Sequence, residues 1–165
     1  GCQNDGMRSF NSRVSTMVAL TALSAMALAA PKRLTSYADL VKSLESGNTV
    51  KIVAEYAKTK LLIDGKEEPA PNATGGVAID GWERFGKELS RDGREWLSTS
   101  HTVLIAHPRH GHVYNYVRFR FYADGSVEVT ARYLKTDTME VVMDEKFMGK
   151  ISTGKDKEGI HLYQS

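Results

Sequence analysis

The sequence predicts a mainly β domain: an antiparallel sheet forming a small barrel or sandwich, with one N-terminal helix packed on it. Three observations carry this. One stretch, Ser36 to Ser46, keeps helical spacing. After Gly47 the apolar period drops from about 3.6 residues to about 2. Asp-Gly and other turn residues then separate the alternating runs. No internal repeat and no linker interrupts the 165 residues, which argues for one domain.

In the helix, Tyr37, Leu40, Val41 and Leu44 share a face, Thr35 or Ser36 caps the start, and Gly47 stands at the end. Thr49 to Ala57 is expected as a strand, and Leu61 to Ile63 as a second, short one before the Asp64-Gly65 turn. Glu67 to Gly76 carries two prolines, an asparagine and two glycines, and is expected as a loop. Val77 to Trp82 is a further strand, while Phe85 to Arg94 supports no assignment. Trp96 to Ala106 and His112 to Tyr122 are strands around a Pro108–Gly111 turn. On the second of them Val113, Asn115, Val117, Phe119 and Phe121 face one way, and Tyr114, Tyr116, Arg118, Arg120 and Tyr122 the other.

The next strand, Ser126 to Leu134, sets its own register. A two-residue Asp124-Gly125 turn would pair Phe121 with Glu128 and bring a charge to the apolar face. The three-residue loop Ala123-Asp124-Gly125, with Gly125 in the left-handed conformation of a bulge, pairs Phe121 with Val127 and Arg120 with Glu128. A slip of one residue would expose the apolar set, so the bulged loop is preferred. Met139 to Met143 follows as a strand, Ser152 to Gly159 as a polar loop, and Ile160 to Tyr163 as a closing strand.

Residues 1–6 read as upstream of a start at Met7. Residues 7–29 have the three parts of a secretory signal: Arg8 and Arg13, an uncharged apolar run from Val14, and the small-residue site Ala27-Leu28-Ala29. Cleavage after Ala29, or one residue later, would leave residues 30–165 as the mature domain, exported to the periplasm or cell exterior. Ser15, Thr16, Thr21 and Ser24 dilute the run, which argues against an uncleaved anchor. No other stretch is apolar enough to span a membrane as a helix.

Composition narrows the partners. A formal net charge of +2, with basic and acidic residues interspersed, excludes a dedicated nucleic-acid binder. Hydrophobic residues make up 41%, enough for a folded core. The single cysteine, Cys2, precedes Met7, so the expected mature chain has neither disulfide nor thiol chemistry.

Few residues offer chemistry. His107, His110 and His112 lie around one turn, with His101 nearby, and three convergent imidazoles could hold a divalent metal. No cysteine or carboxylate stands beside them, and an exposed polar hairpin explains them equally. The Tyr114, Tyr116, Arg118, Arg120 face could grip a sugar, a phosphate or an aromatic ligand, or could be the decoration of a solvated strand. Ser100 and His101 invite a nucleophile-and-base reading, but strand alternation turns them apart. The same alternation separates Asp144 from Glu145.

Three segments together resemble a known family: Tyr37–Leu40 to Gly47–Val50, Val103–Gly111, and Asn115–Arg118 to Thr130–Leu134. They are similar to VirK proteins, small exported bacterial proteins named from a virulence-plasmid region of plant-associated bacteria. The resemblance runs from about Leu34 to Tyr163. It implies export and a single domain. It carries over no established activity or catalytic residues, no cofactor is expected apart from a possible divalent metal at the histidines, and a virulence role belongs to genomic context rather than to this chain. Many members carry a cysteine in the segment equivalent to 56–61, where this chain has Thr59, so the resemblance implies that any shared disulfide is lost here.

The expectation is therefore an exported, non-catalytic binding or accessory protein, its ligand a small molecule or protein held in a barrel mouth or on the Tyr/Arg face. A metal-binding protein or metal-dependent hydrolase using His107, His110 and His112 is the alternative, and a structural cell-envelope component a third.

Overall fold

The structure, a computed structural model, describes residues 30–165; the expected signal segment and residues 1–6 lie outside the described residues. The described residues are mainly β, with one α-helix and two antiparallel sheets that do not close into a barrel.

The smaller sheet has the order β1-β11-β2-β5, from β1 (Lys32–Leu34), β11 (Ile160–Gln164), β2 (Val50–Glu55) and β5 (Thr74–Ala78). The larger has the order β4-β3-β10-β9-β8-β7-β6. Its members are β3 (Lys60–Ile63), β4 (Lys66–Glu68), β6 (Glu83–Phe85), β7 (Trp96–His107), β8 (Gly111–Tyr122), β9 (Ser126–Lys135) and β10 (Val141–Lys150). Alternate residues of both sheets meet in one core: Val50, Ile52, Ala54, Ile160 and Leu162 from the smaller, and Leu97, Phe119, Phe121, Val127, Val129 and Phe147 from the larger.

Helix α1 (Tyr37–Glu45) adds Leu40, Val41 and Leu44 to that core. Ser36 caps it, its hydroxyl accepting from the Asp39 amide at 3.1 Å, and Gly47 ends it at φ +79°. The helix is tied to the larger sheet through Tyr37, whose hydroxyl donates to Glu95 at 3.0 Å. Arg84 bridges Glu95 (2.8 Å) and Glu45 (2.9 Å) beside it. Burial first, then the hydrogen bond and charge of Glu95, push the Tyr37 phenol up to about 12, with Arg84 opposing in part. A raised phenol holds its proton in the fold after the unfolded chain has lost it. The stabilisation is thus complete below the ordinary value of 10.0 and is lost as pH rises toward about 12. In a spectrophotometric titration, one tyrosine is expected to ionise in a late step near that upper value, and Tyr37→Phe should remove that step.

The β8–β9 hairpin has the register that the bulged loop requires. Phe121 pairs with Val127, Phe119 with Val129, Val117 with Ala131 and Arg120 with Glu128, and Gly125 lies at φ +84°. Elsewhere the expected boundaries are corrected. The stretch expected as the loop Glu67–Gly76 contains two of the three residues of β4, which the tight turn at Asp64 (φ +50°) and Gly65 (φ +77°) folds back on β3, and most of β5. Gly75 and Gly76 pair with Ala54 and Val53 of β2. The strand expected at Val77–Trp82 ends at Ala78, and the one expected at Met139–Met143 begins at Val141 and runs on to Lys150. The unassigned stretch Phe85–Arg94 holds the last residue of β6 and a 3₁₀ turn, Lys87–Leu89, and β1 was not expected at all.

Candidate functional site

The four long strands β7 to β10 carry rows of side chains, and β5 with the loop before it stands against one end of those rows. The row Phe147–Val129–Phe119–Thr99 belongs to the core. The next two rows, Glu145–Ala131–Val117–His101 and Met143–Tyr133–Asn115–Val103, are only partly covered and floor a cleft of about 360 Å³. Its far wall is Pro71, Ala73, Gly75, Gly76 and Val77, with Tyr56 at the side.

Tyr56 is carried by the 3₁₀ turn Tyr56–Lys58, and its ring lies 4.7 Å from that of Phe147. Gly75 permits this position: a Cβ there would stand 3.2 Å from the Tyr56 ring and hydroxyl. Burial raises the Tyr56 phenol, with a smaller contribution from Tyr133 nearby.

Five polar side chains converge on this mainly apolar cleft: Tyr56, His101, Asn115, Tyr133 and Glu145. None of the five makes a side-chain hydrogen bond or ion pair among the described residues. Burial raises the Glu145 carboxyl above its ordinary range. A carboxyl raised by burial favours the fold fully below its unfolded value, and that contribution is lost as pH rises through the folded value. At neutral pH the unpaired carboxylate thus costs stability. Glu145→Gln is expected to raise Tm at pH 7 and to leave it nearly unchanged at pH 4, as thermal melts at the two pH values would show.

The histidines divide. His107 pairs with Gly111 and so lies on the cleft face. His110 sits in the turn rather than on the strand and folds back, its ring 4.8 Å from that of His107. Both reach the cleft rim through Tyr133, at ring distances of 5.0 and 6.5 Å. The Arg109 amide donates to His107 Nδ1 at 3.2 Å. His112 pairs with Ala106 and points to the opposite face. Among the described residues no three His, Cys, Asp or Glu side chains are grouped to hold a metal ion.

Tyr114, Tyr116, Arg118 and Arg120 line the outer face of the larger sheet. There the arginines are engaged. Arg118 donates to Thr130 at 3.2 Å and lies 3.6 Å from Glu128, which Lys146 also approaches at 3.5 Å. Arg120 stands opposite Glu128 in register, but its guanidinium lies 4.2 Å over the Trp96 ring. The Nε atoms of Arg118, Arg120 and Arg132 are buried with no partner among the described residues. The two tyrosines instead border a shallow depression with Arg132, Leu134 and Met139. Ser100 pairs with Arg118 and His101 with Val117, so the two face opposite ways.

The candidate residues named from the sequence do not include Asn115, although it is one polar residue among Val113, Val117, Phe119 and Phe121 on a face otherwise apolar and could have marked the cleft. The hairpin register extends the same face to Ala131 and Tyr133. Glu145 and Tyr56 gave no such signal, since their places depend on long-range pairing.

A protein-family model described as VirK protein matches residues 33–139, from β1 through β9. A search of the curated proteins gives no match. The crystal structure of a VirK family protein from Legionella pneumophila superposes with a TM-score of 0.63 at 13% identity, covering 79% of this chain and 97% of that one. At that identity the likeness speaks for the fold alone. No helix among the described residues is long and apolar enough to cross a membrane.

Proposed function

The chain belongs to the VirK family, and from that premise we propose that it is an exported, non-catalytic binding or accessory protein of the periplasm or cell exterior. Its ligand is a small molecule held in the cleft between the two sheets, which we read as a sandwich open at one end.

The carrying observation is the cleft itself. Folded proteins satisfy their half-buried polar groups within the chain or leave them to water and ligands. Five such groups converge here on an apolar floor, the pattern of a site that orients a ligand by a few polar contacts and holds it by burial. Its volume is near the lower end of the range for small-molecule sites, roughly 300–1,000 Å³. The opposite facing of Ser100 and His101 supports the non-catalytic part of the reading. Export rests on the signal-like segment 7–29.

Native mass spectrometry of the protein from its host's exported fraction tests both parts. A mature mass beginning near Ala30 and an additional organic mass are expected. A chain still carrying Met7 to Ala29 would sink the reading of a cleaved signal. A chelator-removable metal in place of the organic mass would favour the histidine alternative, and a bare chain the structural one.

A further inference from the structure

Resting on that cleft-binding reading, we propose that the ligand is a small organic cation, an ammonium group on an aromatic or aliphatic body, with Glu145 as its counter-ion. The argument begins with a contrast between neighbours in sequence. Asp144 turns to the outer face and is met by Arg132 at 3.0 Å. Glu128, on that same face, is met by both Arg118 and Lys146. Asp144 and Glu128 on the outer face thus each have a cation, but among the described residues none meets Glu145, one residue further along β10.

The lining of the cleft extends the contrast. Among the described residues Glu145 is the only carboxylate of the lining, and neither lysine nor arginine borders it. Tyr56, Phe119, Tyr133 and Phe147 contribute aromatic rings. Ring faces attract cations and carry no attraction for anions. Glu145 stands opposite Ala131 in register, so the floor beside the carboxylate is formed by a methyl group and has room for a ligand group. An anionic ligand would meet the carboxylate with like charge. A neutral one would cover it without pairing it, leaving a desolvated charge. An ammonium group supplies the missing partner through a charge-assisted hydrogen bond, while its apolar body meets the rings and the β5 wall.

Amide chemical-shift titrations of the purified chain with 2-phenylethylammonium, 2-phenylethanol and phenylacetate separate charge from shape. The ammonium probe is expected to shift Asn115, Tyr133 and Glu145. The alcohol and the acid should bind at least about tenfold more weakly. Glu145→Gln should weaken the ammonium probe by about tenfold or more and leave the alcohol unchanged. Glu140→Gln, on the exposed turn where Glu140 pairs with Lys135, should change neither. Ala131→Leu, which fills the floor, should block all three probes. Equal or tighter binding of the alcohol or the acid in the cleft would overturn the cation class and keep the cleft reading. Failure of every probe to shift the cleft would overturn both.

Discussion

Phe121→Ala is expected to lower the unfolding free energy by about 3–5 kcal/mol, the range for truncating a fully buried phenylalanine. Phe121 has no exposed surface. The hairpin register fixes it between Leu97 of β7 and Val127 of β9, and its ring lies 6.1 Å from that of Phe119. The strands on either side are held by long hydrogen-bonded ladders, and the smaller sheet covers the same core. Neither sheet can move in to fill the space of a lost ring without breaking its ladder, so most of the cavity should persist. A loss of that size is a large share of the roughly 5–15 kcal/mol of a typical domain. Urea denaturation should show a lower midpoint with an unchanged m-value. A loss below about 1 kcal/mol would mean that the core collapses around the deletion more freely than these ladders allow. Phe121 does not line the cleft, so the fraction that remains folded should keep the parent chain's amide shifts at Asn115 and Tyr133.

Much of this architecture was legible because it is local. The helix announced itself through its spacing and its Ser36 and Gly47 ends. The β8–β9 hairpin did so because only one loop length keeps Glu128 off the face of Phe121. Misses came where pairing across the chain outweighed composition. Gly75 and Gly76 read as loop residues, yet β2 recruits them as an edge strand, and the Tyr56 ring stands where the side chain of a larger residue at 75 would go. The strand expected at Met139–Met143 stops short of Asp144-Glu145-Lys146. In the fold, alternation sends Asp144 and Lys146 outward to Arg132 and Glu128, and Glu145 alone into the cleft. The histidine cluster depended on where β8 begins. It begins at Gly111, at φ +67°, so His110 belongs to the turn and joins His107 while His112 faces away. A one-residue difference in a strand boundary decides which imidazoles can meet, and sequence alone does not fix that boundary.

Gly159→Ala is expected to destabilise the fold by about 1–3 kcal/mol, the cost of forcing atoms into a well-packed place, and to disturb the cleft at a distance. A Cβ at Gly159 would stand 2.5 Å from the Glu55 carbonyl oxygen and 3.0 Å from the Lys58 Cβ. The obstacle is backbone, not the free end of a side chain, so no rotamer change relieves it. The chain cannot simply swing away either. The Glu55 amide donates to the Gly159 carbonyl at 2.8 Å, and the Ser152 amide donates to the Ile160 carbonyl at 2.7 Å. Asp156 ties down the preceding loop, accepting from the Thr153 amide at 2.8 Å and the Ser152 hydroxyl at 2.9 Å. The element that must yield is therefore the 3₁₀ turn Tyr56–Lys58, and that turn carries Tyr56 to the side of the cleft. Thermal melts should show the stability loss. In the folded variant, the amide shifts of Tyr56 and Gly75 should move while those of helix α1 stay in place. Unchanged stability together with an unmoved Tyr56 would show that the closeness of Gly159 to Glu55 is not what fixes this wall. A stability loss with Tyr56 unmoved would instead place the strain in the Ser152–Gly159 loop, which does not line the cleft.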